Sequence, residues 1–247
     1  MFDASKFTVP KAKPLPVILL LDVSGSMQGG KIKSLNEAVK DMLATFRGTE
    51  NGETEIHVAI ITFGAEVKLH QPLVDVGAIV HRDLSAGGGT PLGTALSMAK
   101  AMVEDKDTVP SRAYRPTVIL VSDGRPGDEW KKPLAAFVGE GRSSKCDRMA
   151  MAIGHDADEN VLGEFIKGTD NKLFYAENAS HLRDFFKFVT MSVTVRTKSK
   201  TQNVIPSMND VVSAAGVKPV TIDDKTPASS QPPKTNNHPD DDGEFRW

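Results

Sequence analysis

Five oxygen-bearing side chains, spread between Asp22 and Asp123, are the residues whose types and spacing could do chemistry together. Asp22, Ser24 and Ser26 form an Asp-x-Ser-x-Ser run, Thr90 follows Gly87, Gly88 and Gly89, and Asp123 follows the apolar run TVILVS. A donor set made only of oxygen suits a hard divalent cation, whereas zinc or a redox metal would draw histidine or cysteine. Magnesium demands a near-ideal octahedron and keeps waters. Ser24, Ser26 and Thr90 would therefore ligate directly, with Asp22 and Asp123 acting wholly or partly through water. Neutral direct ligands leave the ion's charge poorly quenched, so a free coordination position would favour an incoming carboxylate from another protein.

The elements around these residues must bring them to one point. Val17 to Leu21 is too short for a helix, and its branched residues read as a strand buried on both faces that stops at Asp22. Gly29 and Gly30 allow a tight loop, and helical periodicity then runs from about Lys31 to Arg47 with Ile32, Leu35, Val39, Met42, Leu43 and Phe46 on one face. Glu55 to Phe63 and Glu66 to Val74 read as strands joined so tightly that only an antiparallel hairpin fits. Gly77 to Leu84 is expected to contain one helical turn. Pro91 then opens a helix capped by Thr90 with Leu92, Leu96, Ala99 and Val103 inward. Further on come a strand ending at Ser122, a helix at Trp130 to Gly139, a strand at Arg148 to Ile153 and a helix at Asn160 to Lys167. A short strand at Lys172 to Tyr175 precedes a last helix capped by Ser180 that carries Leu182, Phe185, Phe186, Val189 and Val193. Strands alternating with helices imply a Rossmann-like, doubly wound α/β fold: a mostly parallel six-stranded sheet with one antiparallel edge strand and helices on both faces. In the order 3-2-1-4-5-6, strands 1 and 4 are neighbours at the switch point, and Asp22 and Asp123 face each other there.

These residues, in this order on this pattern of strands and helices, resemble the von Willebrand factor type A domain and its metal-ion-dependent adhesion site, whose D-x-S-x-S, T and D parts are all supplied by Asp22, Ser24, Ser26, Thr90 and Asp123. The resemblance implies a domain over residues 14–196 that binds partner proteins through Mg2+, with Mn2+ or Ca2+ as possible substitutes, and catalyses no reaction. Size and the form of the chain are similar to bacterial tellurite-resistance (TerY-like) proteins of this family. Such proteins are often encoded beside a Ser/Thr kinase and a PP2C-type phosphatase, which implies a stress-response or signalling assembly. Residues 1–13 read as an N-terminal arm.

Bulk properties narrow the classes. A chain of 247 residues fits one ordinary domain with an appendage, and a formal net charge of -2 offers no basic field for nucleic acid or an anionic membrane. With one cysteine, Cys146, no intramolecular disulfide is possible, and Met1 to Pro16 lacks the apolar core of a secretory signal, so the expected location is the cytoplasm. No apolar run approaches the roughly 20 residues of a membrane span. From Thr197 to Asn237 the composition is polar and aperiodic, a flexible tail. It ends in Asp240, Asp241, Asp242 and Glu244 followed by Phe245 and Trp247, either a docking peptide or a solvated acidic end.

Competing readings remain open at this level. Serine and threonine after a strand are ordinary capping residues, so the cluster could be structural. Gly25 to Lys31, GSMQGGK, matches the first part of a P-loop, although Ile32 stands where that motif needs a hydroxyl for Mg2+. The tail could make the protein a substrate or scaffold of a Ser/Thr kinase. The six histidines are scattered and no G-x-S-x-G accompanies them, which gives a serine hydrolase no local signature. Cys146 reads as a small buried side chain.

Overall fold

The computed structural model describes residues 12–49 and 54–198. The acidic and aromatic residues at Asp240 to Trp247, and nearly all of the expected tail and arm, lie outside them. Strand β1 (Lys13–Asp22) is followed by a 3-10 turn (Gly25–Met27) and helix α1 (Gly30–Arg47). The hairpin of β2 (Thr54–Phe63) and β3 (Val67–Asp75) leads through a long loop to α2 (Leu92–Glu104) and β4 (Thr117–Ser122). Then come α3 (Lys131–Gly139), β5 (Asp147–Ile153), α4 (Glu159–Ile166), β6 (Phe174–Ala176) and α5 (Ala179–Lys198).

The sheet order is β3-β2-β1-β4-β5-β6, parallel except for β3, which pairs antiparallel with β2 at one edge. This is the expected doubly wound order, with β1 and β4 adjacent. Strand β1 is central and alternates its side chains between two cores. Leu15, Val17, Leu19 and Leu21 pack beneath α1 and α5, while Ile18 and Leu20 pack beneath α2, α3 and α4. All six are fully buried, and each contributes on the order of 2 kcal/mol.

Several boundaries differ from the sequence reading for physical reasons. Strand β1 begins at Lys13, four residues earlier than expected, despite Pro14 and Pro16. Both prolines have the same parity, so their missing N–H groups fall on one side, and β4 begins only opposite Val17. The expected turn at Gly77 to Leu84 is reduced to a 3-10 turn at Val76–Ala78. Helix α2 starts at Leu92, and neither Pro91 nor Thr90 caps it through a side chain. The cap comes from a distant residue: Asp128 accepts hydrogen bonds from the Gly93 and Thr94 backbone N–H groups and from the Thr94 hydroxyl. Asn178, not Ser180, caps α5, accepting from the N–H groups of Ser180 and His181.

Candidate functional site

The site begins where β1 ends. Asp22 is fully buried; its Oδ1 accepts from the Ser24 backbone N–H at 2.8 Å and its Oδ2 from the Ser122 hydroxyl at 2.6 Å. The register explains the second contact, because Leu21 pairs with Val121 and the next residues along are Asp22 and Ser122. Ser24 precedes the 3-10 turn without capping it through its side chain. Its hydroxyl instead lies 3.0 Å from that of Ser26, and Ser26 donates to Asp123 Oδ1 at 2.7 Å. Asp123 is also fully buried, directly beyond the end of β4.

Thr90 comes from the loop before α2. A Cβ placed on Gly124 would meet the Thr90 hydroxyl at 3.4 Å and that of Ser26 at 4.0 Å, so both hydroxyls face the residue that follows Asp123. Backbone hydrogen bonds hold this loop against the end of β1: Gly87 N–H donates to the Val23 carbonyl at 2.7 Å and Gly25 N–H to the Gly88 carbonyl at 2.9 Å. The Thr90 carbonyl is held in turn by Gly127 and Leu92 N–H, both at 2.9 Å. Gly88 has φ +81°, and a Cβ there would sit 2.2 Å from the Ala65 Cα, so the loop can pass the β2–β3 turn only with glycine. Asp22, Ser24, Ser26, Thr90 and Asp123 are thus all brought to one point on the rim formed by the carboxyl ends of the parallel strands.

Two carboxylates withdrawn from solvent side by side need positive charge nearby. Burial pushes the Asp22 carboxyl above the usual range, and Asp123 pushes it the same way, against hydrogen bonds from Ser122 and Ser24. The cation that is present is the Lys31 ammonium, 2.5 Å from Asp123 Oδ2 on a partly exposed side chain. An ammonium standing against this oxygen-only donor set is an internal stand-in for a cation, and the residues therefore fit a hard divalent ion. Sequence reasoning missed two participants. In the sequence Ser122 reads only as the end of a strand, and Lys31 only as the start of a helix or the lysine of a P-loop; its proximity to Asp123 depends on two strands being adjacent. Ile32, at the P-loop hydroxyl position, packs against the core.

Comparison with known proteins identifies the family and the fold. The family model for the von Willebrand factor type A domain matches residues 17–188. Among solved structures, a von Willebrand factor type A protein from Catenulispora acidiphila superposes with a TM-score of 0.55 at 24% identity, covering 73% of this chain and 42% of that one. The ArnB paralog VWA2 from Sulfolobus acidocaldarius gives 0.56 at 14% identity, covering 74% and 46%. Proximal thread matrix protein 1 from the mussel byssus, solved with zinc in its MIDAS motif, gives 0.52 at 17% identity, covering 72% and 48%. The chain therefore spans less than half the length of these structures, and at such identities the likeness concerns the fold alone. No curated protein matches the sequence. With the family model covering well over half of its residues, the chain belongs to the von Willebrand factor type A domain family.

Proposed function

We propose that the domain binds a protein partner through Mg2+ held at the rim by Ser24, Ser26 and Thr90, with Asp22 and Asp123 acting wholly or partly through water. The observation that carries this reading is the convergence of the five oxygen-bearing side chains, with both carboxylates buried and an ammonium at one of them. When bound, the cation supplies a concentrated positive centre to which an Asp or Glu of the partner binds by a charge-assisted contact. The chain's own part is to hold the hydroxyls in place and to keep Asp22 aligned through Ser24 and Ser122. Domains of this family are generally interaction and metal-dependent adhesion modules, and we assign no catalysis to this one. The P-loop alternative lacks a comparable convergence, because Lys31 is engaged with Asp123 and Ile32 is packed inward.

The wider setting we propose is a bacterial cytoplasmic stress-response or signalling assembly with a Ser/Thr kinase and a PP2C-type phosphatase, supported by the resemblance to TerY-like proteins. No described helix is long and apolar enough to cross a membrane. The acidic and aromatic end of the chain would either dock that partner or occupy the metal position itself. Deleting Asp240 to Trp247 separates the two: docking predicts a lost partner with Mg2+ binding retained, self-occupancy a tighter hold on an added carboxylate ligand.

Calorimetry tests the central claim. Asp22→Ala and Thr90→Ala are expected to abolish Mg2+ binding while circular dichroism shows the fold intact. Unchanged Mg2+ affinity in either variant would overturn the assignment. Capture of partners from host lysate with Mg2+, and their loss with EDTA, tests the interaction itself.

A further inference from the structure

A second group of ligating side chains lies at the other end of the β2–β3 hairpin. His57 and Asp75 are directly paired across the two strands, and Glu55, two residues before His57, projects from the same face of β2. His57 Nε2 lies 3.2 Å from Glu55 Oε2. Asp75 is oriented by the Gly77 N–H, which donates to its Oδ1 at 2.7 Å. One ligand atom from each of the three lies within 4.8 Å of the others, and all three residues are half-buried. Phe63 pairs with Asp22, and His57 is six residues earlier on β2, which places the group roughly 20 Å from the rim cluster.

We infer that Glu55, His57 and Asp75 form a second cation site, selective for Zn2+ or a similar borderline metal and independent of the rim site. The donor set is the first argument: one imidazole nitrogen with two carboxylates suits zinc, whereas the oxygen-only rim suits magnesium. Charge is the second. Two carboxylates share a single imidazole, and among the described residues neither has a lysine or arginine ion pair. Geometry is the third. Zn–ligand bonds of about 2.0–2.1 Å place tetrahedral ligands roughly 3.4 Å apart. Glu55 and His57 already stand 3.2 Å apart, and side-chain rotation has only to close the remaining spread of at most 4.8 Å to Asp75. Three protein ligands leave a fourth position for water or a partner's side chain. The metal would clip edge strand β3 to β2 next to the register shifts between Val58 and Ile61, where the ladder alone is weakest.

The test uses the untagged full-length chain carrying Asp22→Ala, so that zinc cannot be counted at the rim. Zn2+ alone is titrated against a chromophoric chelator, and thermal melting is recorded with and without Zn2+. One more equivalent is expected in this parent than after adding His57→Gln, with affinity at the site falling at least about tenfold. Zinc should raise the melting temperature of the parent only. Zinc held near His238 or the terminal acids is common to both proteins and cancels. Should His57→Gln fail to fold, Glu55→Gln, at a partly exposed carboxylate, carries the same comparison. Equal stoichiometry and equal melting shifts in parent and variant would overturn the site. Because Asp22→Ala is present in every arm, this result is independent of whether the rim binds Mg2+.

Discussion

Lys31 has two consequences at its site that can be separated. Its ammonium neutralises Asp123, and the divalent ion proposed for the rim would compete with it for that carboxylate. The ammonium is partly exposed but Asp123 is fully buried, so the pair is worth more than a surface ion pair of about 1 kcal/mol, which is equivalent to roughly fivefold in a binding constant. Lys31→Met should therefore tighten Mg2+ binding by about fivefold or more in calorimetry. It should also lower the melting temperature of the metal-free protein, so that Mg2+ produces a larger rise than in the wild type. Weaker Mg2+ binding in this variant would show that the lysine assists the metal. The D-x-S-x-S run, Thr90 and Asp123 could be picked out of the sequence because each follows a local signal, the end of an apolar strand or a glycine-rich loop. Lys31, Ser122 and Asp128 could not, since each acts across a contact between elements distant along the chain.

Elements are positioned here by contacts that no periodicity reports. The order of the strands follows from alternation and a short hairpin link, and apolar stripes identify the helices. The cap of α2, expected at Thr90, is instead Asp128, supplied from beyond β4. Gly88 carries the clearest consequence at this scale. Gly88→Ala would push the loop off Ala65 and move Thr90, so Mg2+ affinity should fall while the melting temperature drops modestly, on the order of 1–3 kcal/mol in stability. Helix α5 is anchored differently. Arg196 is buried in its last turn and donates to the Thr117 hydroxyl and the Arg115 carbonyl, both at 2.6 Å. Burial lowers its pKa to about 10 against the attraction of Asp147. Arg196→Ala would leave a cavity and take the donor from the Thr117 hydroxyl and the Arg115 carbonyl, and should cost about 1–3 kcal/mol in urea unfolding.

Over the whole molecule, stability should depend on pH through Glu104 at the end of α2. Burial pushes this carboxyl up, but hydrogen bonds from the Arg142 and Ser143 N–H groups, together with Lys100, outweigh it and hold it below the usual range. A depressed carboxyl stabilises the fold above its ordinary range and loses that contribution as pH falls through its folded value. The wild type should thus exceed Glu104→Gln in melting temperature near neutrality, with the gap closing on acidification. Cys146 gives an independent measure of global opening. Burial pushes its thiol up to about 12, so a thiol reagent at pH 8 should modify it only through opening of the fold, at a rate that rises with added urea.

The chain enters β1 at Lys13, and Arg196 near the end of α5 grips the residues around the start of β4. Both points lie at the base of the sheet, while the oxygen cluster lies on its rim. A pull between a ligand held at the rim and whatever is attached at the base therefore runs along the axis of β1. That strand pairs with β2 over ten residues and with β4 over five. Under such tension the ladders on both sides of β1 are loaded in shear and share the force, instead of parting one hydrogen bond at a time.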